Sequence, residues 1–187
     1  PCLQRIVSLA KDIARGLNWL HHKGIIHRDL KTANILVASR GVFEGLSQVD
    51  SSGKGKLADF GLSHIKTSSG DPICGTYGVV GTPCYMAPEG LVVIVHPLLT
   101  RCCAVLQKNP YGVKADIFSF AIVLCEMILG KVRLARKSHH TVSGLRPDVP
   151  ACIPAMQNLI VSCWAENPDD RPSMDLIMDA LERMGNG

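Results

Sequence analysis

The sequence predicts a mainly α fold in a single globular unit, with short β hairpins flanking one polar loop. Three observations carry that expectation. Apolar residues recur at three- and four-residue steps near both ends of the chain; the run 116–129 is apolar nearly all round; and two short aliphatic runs, Ile25-Ile26 and Ile35-Leu36-Val37, bracket a polar stretch as buried strand segments would. Hydrophobic residues make up 47% of the 187 positions, which suits a unit with a real core and argues against disorder.

Composition narrows the function classes a little. Twenty basic residues against 16 acidic ones leave a net charge of +4, too mild to imply a nucleic-acid partner, and none is expected. The eight cysteines form no Cys-x-x-Cys pair and no zinc-finger spacing, so reduced thiols in a cytoplasmic protein are the simplest reading. No uninterrupted apolar run approaches the roughly 20 residues of a membrane helix, and no membrane partner is expected. The chain opens without Met and without a basic-then-apolar leader, so it reads as a piece of a longer protein.

In order, the first element is an amphipathic helix over 3–22. Ile6, Leu9, Ile13, Leu17 and Leu20 share one face, with Arg5, Lys11, Asp12 and Arg15 between them. His21-His22-Lys23-Gly24 ends it, placing cationic groups at the negative helix end and a glycine at the cap. A histidine metal site there lacks a nearby partner ligand.

The stretch from Ile25 to Val37 comes next. Within its loop, Asp29, Lys31 and Asn34 supply a proton acceptor, a cation and a neutral oxygen donor for a hard metal, the groups that phosphoryl transfer needs. The stretch fits the pattern His-Arg-Asp-Leu-x-x-x-Asn, and here the chain resembles the eukaryotic protein kinases. Five fixed letters match by chance in a chain of this length with odds of roughly one in 10⁴.

After that loop the sequence predicts a long surface loop from Ala38 and a returning strand over Lys56-Leu57-Ala58. Asp59-Phe60-Gly61 follows, and then a segment rich in Gly, Ser and Thr as far as Ala87-Pro88-Glu89, in the order and spacing of a kinase activation segment. Asp59, just after a strand expected to be buried, offers a carboxylate to Mg²⁺. Residues 90–108 are an anomalous apolar stretch. Two readings compete for it: an insert packed on the lobe, or non-native sequence such as a retained intron, whose exposure would favour aggregation.

The run 116–129 reads as a central buried helix closed by Gly130. The basic stretch 131–140 reads as a solvated face, and 131–143 is short compared with the family. A helix from Pro154 to Trp164 turns Met156, Leu159, Ile160 and Cys163 inward. Ser173 then caps a last helix carrying Met174, Ile177, Leu181 and Met184, closed by Gly185. Residues 163–173, Cys-Trp-Ala-Glu-Asn-Pro-Asp-Asp-Arg-Pro-Ser, are similar to the end of tyrosine-kinase-like domains.

The resemblance implies the larger, C-terminal lobe of a protein kinase, so that 1–187 is a partial kinase domain. The small β-rich lobe is expected to be absent, since no glycine-rich phosphate loop and no matching lysine precede the catalytic loop. The implied function is that of a tyrosine-kinase-like serine/threonine kinase, which moves the γ-phosphoryl group of ATP to a hydroxyl of a protein substrate, with Mg²⁺ as cofactor.

By that likeness Asp29 orients the hydroxyl and takes its proton, Lys31 neutralises charge on the γ-phosphate, Asn34 and Asp59 hold the metal, and Leu36 lies under the adenine. Asp116 would hydrogen-bond the catalytic-loop backbone, and Arg171 would pair with Glu89. Serine or threonine is favoured over tyrosine by Lys31 and by Gly81-Thr82-Pro83-Cys84-Tyr85-Met86, in which Thr82 would touch Asp29 and Lys31. Arg28 suggests activation by phosphate, with Thr67, Ser68, Ser69 and Thr76 as candidates. The alternative is a kinase-derived binding or scaffold fragment that does no chemistry.

Overall fold

The computed structural model describes residues 3–37, 54–65, 81–89, 112–130 and 146–185. The stretches 90–108 and 131–143 and the phosphorylation candidates Thr67, Ser68, Ser69 and Thr76 lie outside the described residues. Four α-helices dominate what is described: α1 Leu3–His22, α2 Val113–Leu129, α3 Pro154–Cys163 and α4 Met174–Gly185. The strands are short: β1 Ile25–Ile26, β2 Ile35–Val37, β3 Gly55–Leu57 and β4 His64–Ile65.

The amphipathic period of α1 buries Ile6, Val7, Ala10, Ile13, Ala14, Leu17 and Leu20. Its polar flank ties it to α4: Lys11 and Arg15 each reach Glu182 at 2.8 Å, and Asn18 donates to Asp175 at 2.8 Å. Such solvent-screened pairs contribute little, so the buried stripe carries most of the α1 docking energy. The helix ends at Gly24, whose φ of 70° is the left-handed conformation of a C-terminal cap.

Helix α2 begins three residues before the expected start and is buried continuously from Ala115 to Cys125. It stops at Gly130, with φ 71°. Helix α3 turns Met156, Leu159, Ile160 and Cys163 inward as expected. The Ser173 hydroxyl accepts the Leu176 N–H at 3.4 Å at the start of α4, and Gly185 is that helix's last residue instead of a cap beyond it. No helix among the described residues is long and apolar enough to cross a membrane.

The strands form two antiparallel ladders, one nested in the other. In the inner ladder β2 pairs with β3, Ile35 opposite Leu57; in the outer, β1 pairs with β4, Ile25 opposite Ile65. The returning strand runs one residue earlier than expected, over Gly55–Leu57, and just past its end the Ala58 N–H, still in register, donates to the Asn34 carbonyl at 2.9 Å.

The expectation that these segments are all buried needs correction. Ile26 is buried, but Leu36 is 59% and Val37 39% exposed, and β3 is at most half-buried. The inner ladder is two strands wide and packs on α1 through Leu57, against which a side chain at Gly16 would collide. One face of the ladder is therefore covered and the other is left open among the described residues.

Candidate active site

Helix α2 holds the loop after β1 by its backbone. The buried Asp116 carboxylate accepts the His27 and Arg28 N–H groups, both at 2.9 Å, and contacts His21 Nε2 at 2.8 Å. This fixes Arg28 in a left-handed conformation, φ 69°, which costs a non-glycine residue on the order of 1 kcal/mol and persists where the surroundings dictate it. The turn sets the next residue, Asp29, among Lys31, Thr82 and Asn34.

Around Asp29 the side chains close a tight polygon. Lys31 Nζ donates to Asp29 Oδ2 at 2.6 Å and to Thr82 Oγ1 at 3.0 Å, and the Thr82 hydroxyl donates to Asp29 Oδ1 at 2.7 Å. The Asn34 amide donates to the Asp29 carbonyl at 2.9 Å and to Oδ2 at 3.2 Å. Burial pushes the Asp29 carboxyl up, but Lys31, Thr82 and Asn34 together outweigh it and hold the group below its ordinary value. Asp29 is thus an ionised acceptor at neutral pH. Gly81, with φ 110°, brings the Thr82 loop so close that a side chain there would lie 2.5 Å from the Arg28 carbonyl oxygen.

Residue 59 stands beside this polygon. Ala58 is bonded to the Asn34 carbonyl, and the Phe60 ring lies 5.4 Å from that of His27, so Asp59 is tethered to the loop from both sides. It is exposed, has φ 61°, and accepts the Gly61 N–H at 3.3 Å. The Asn34 amide nitrogen is committed to Asp29, which turns the side-chain oxygen to the other side of the amide. One amide oxygen and one carboxylate are hard donors that would suit Mg²⁺; no cluster of three or more His, Cys, Asp or Glu side chains suited to a metal occurs among the described residues.

A second ion pair ties Glu89, seven residues after Thr82, to the loop before α4. Arg171 reaches Glu89 at 2.6 and 2.9 Å, and also donates to the carbonyls of Ala165, Lys114 and Glu166. Its guanidinium lies over the Phe118 ring at 5.2 Å. The expected Asp116 and Arg171 contacts are both present.

Residues 3–181 match the protein kinase domain family. The chain belongs to the protein kinase family. The serine/threonine-protein kinase STY17 of Arabidopsis thaliana is 32% identical over 97% of this chain and 28% of its own length. The dual specificity protein kinase shkD of Dictyostelium discoideum is 36% identical over 97% of the chain and 22% of its length, and the serine/threonine/tyrosine-protein kinase HT1 of Arabidopsis thaliana 32% over 97% and 40%. The chain therefore spans less than half the length of these relatives. The family as a whole uses ATP and Mg²⁺.

One group in this kinase escaped the sequence reading. Thr32 Oγ1 and the Tyr85 hydroxyl donate to the same oxygen of Glu126, at 2.7 and 2.5 Å, and lie 3.2 Å apart. Burial, and then the bond to Glu126, push the Tyr85 phenol up to about 12, so it stays protonated. A signal was available: Asp116, Ser119 and Glu126 are polar residues in an apolar helix and fall within about 80° of arc at roughly 100° per residue. Ser119 also faces this loop, donating to the Tyr85 carbonyl at 2.7 Å. Burial raises the thiols of Cys125 and Cys163 to about 12, so these two stay protonated.

Proposed function

We propose that this chain is the larger, C-terminal part of a serine/threonine kinase domain of the tyrosine-kinase-like group, and that 1–187 is a partial domain completed by a smaller lobe. The reaction is transfer of the γ-phosphoryl group of ATP to a serine or threonine hydroxyl of a protein. The observation that carries the reading is the bonding of Asp29 to Lys31 and Thr82 at once. An ionised acceptor, a mobile cation and a hydroxyl-lined approach meet within hydrogen-bond distance.

In this reading Asp29 receives the substrate hydroxyl's hydrogen bond and takes its proton as the oxygen attacks phosphorus. Lys31 sits between that acceptor and the incoming phosphate, where a flexible ammonium follows the charge as it moves from substrate to product. Thr82 aligns the segment that lies under the acceptor substrate. Asn34 and Asp59 hold Mg²⁺, which when bound neutralises charge across the phosphates. Leu36, apolar and open, supports the adenine ring.

Regulation follows from Arg28. Its buried Nε has no hydrogen-bond partner among the described residues, which supports pairing with a phosphate added at Thr67, Ser68, Ser69 or Thr76. The free state of Cys84, Cys125, Cys152 and Cys163 supports a cytoplasmic location. The relatives include both serine/threonine and dual-specificity kinases, and the Thr82 contact supports the former.

The test is Mg-ATP-dependent phosphate incorporation into a mixed peptide library by the full-length protein. Phosphoserine and phosphothreonine products that vanish in Asp29→Asn support the reading. ATP binding without transfer would favour the scaffold alternative.

A further inference from the structure

We infer that Thr32 is a positioning residue, the second of two bolts that fasten the metal-side turn to the substrate-side loop. The inference rests on the kinase reading above and adds to it a residue outside the motif letters. Two short helical turns face each other across the site: Thr32–Asn34, and Pro83–Tyr85 with Thr82 as its cap. At one end they are joined by Asp29, Lys31 and Thr82. At the other they are joined by Thr32, Tyr85 and the shared carboxylate of Glu126.

Either bolt alone leaves a hinge. Lys31 has a flexible four-carbon stem, so its bonds to Asp29 and Thr82 tolerate rotation of one turn against the other. Thr32 is different: its hydroxyl sits one rotatable bond from the backbone, and it bonds a carboxylate on the rigid α2 helix. Because Asn34 closes the turn that Thr32 opens, the orientation of the Asn34 oxygen depends on where Thr32 is held. Because Tyr85 closes the turn that Thr82 caps, the same carboxylate sets the height of Thr82. Glu126 thereby fixes the distance between the metal donor and the substrate platform.

Two contributions are separable at this cluster. Tyr85 retains its bond to Glu126 and its carbonyl retains Ser119 when Thr32 loses its hydroxyl, so the core stays anchored. The near-isosteric Thr32→Val removes the bolt alone, whereas Thr32→Ser keeps the hydroxyl.

The experiment compares Thr32→Val and Thr32→Ser with wild type in the full-length protein. The expected result is that Thr32→Val lowers kcat about tenfold, the effect of one hydrogen bond to a charged group, with KM for ATP changed less than about twofold, and that Thr32→Ser restores kcat. A residue of purely structural use would change melting temperature without this kcat split. Equal kcat in Thr32→Val and wild type overturns the inference while leaving the kinase reading intact.

A second measurement needs no catalysis. Thermal unfolding of Thr32→Val, Tyr85→Phe and the double variant forms a cycle, and a non-additive change is expected because the two hydroxyls share one acceptor. Strict additivity overturns the bolt even if the protein transfers no phosphate, an outcome that by itself would sink only the kinase reading.

Discussion

Two ion pairs in this protein are built from similar charges and do opposite things. Arg171 and Glu89 form a closed pair: the arginine side chain is fully buried, bidentate on the carboxylate, bonded to three carbonyls and stacked on Phe118. Lys31 and Asp29 form an open pair, the lysine 24% exposed and the aspartate shared with Thr82 and Asn34. Arginine's planar fork suits a joint that must not move, and lysine's point charge on a flexible stem suits one that must adjust. The difference separates a joint that holds a segment in place from one that, in the proposed reaction, handles a moving charge.

That contrast breaks most sharply at Asp29. Asp29→Asn should lower phosphate incorporation by the full-length protein about 10³-fold while leaving the melting temperature nearly unchanged. A large loss of stability instead would make the open pair a structural one. On the closed side, Arg171→Ala strands Glu89 and should cost about 3 to 5 kcal/mol in urea unfolding. A loss under about 1 kcal/mol would mean that the pair behaves like an exposed one.

A change between the two regions sharpens the contrast. Gly81→Ala must relieve a clash with the Arg28 carbonyl and an unfavourable φ of 110°, so it should cost on the order of 1 to 3 kcal/mol and reduce turnover, read by unfolding and by peptide phosphorylation side by side. Replacing Thr67, Ser68, Ser69 and Thr76 together by Ala should lower activity without changing ATP binding, measured by phosphate incorporation and a nucleotide-binding titration.

The smallest effect expected is with pH. Asp29 titrates below its ordinary 3.8, so its stabilising bonds are complete above that value and are lost as pH falls through the lower folded-state value. Between about pH 5 and 8 neither its charge nor its stability contribution should change. In Lys31→Met the acid limb of kcat/KM should move upward, since the cation that favours the carboxylate is gone while burial remains. An unmoved limb would show that another group sets it.

Much of this was legible in the chain because the relevant residues are close in sequence. The apolar period and Gly24 bound helix α1 correctly, and Pro154 marks the start of α3, although that helix ends at Cys163, one residue before the expected Trp164. Asp29, Lys31 and Asn34 fall within one turn of backbone, so their meeting follows from local geometry. The exposure of Leu36 and Val37 was not legible. An aliphatic run looks the same whether one or both faces of its ladder are covered, and coverage depends on elements far along the chain.

The sequence by itself determined which chemical groups this kinase carries and which of them are neighbours along the backbone, because spacing of a few residues constrains geometry directly. Tertiary structure alone decided that Thr82 reaches Asp29 from 53 residues away, that Asp116 grips Arg28 across 88, and that Glu126 gathers Thr32 across 94. Those meetings depend on how α2 packs through the core, and packing is a property of the whole set of buried side chains at once.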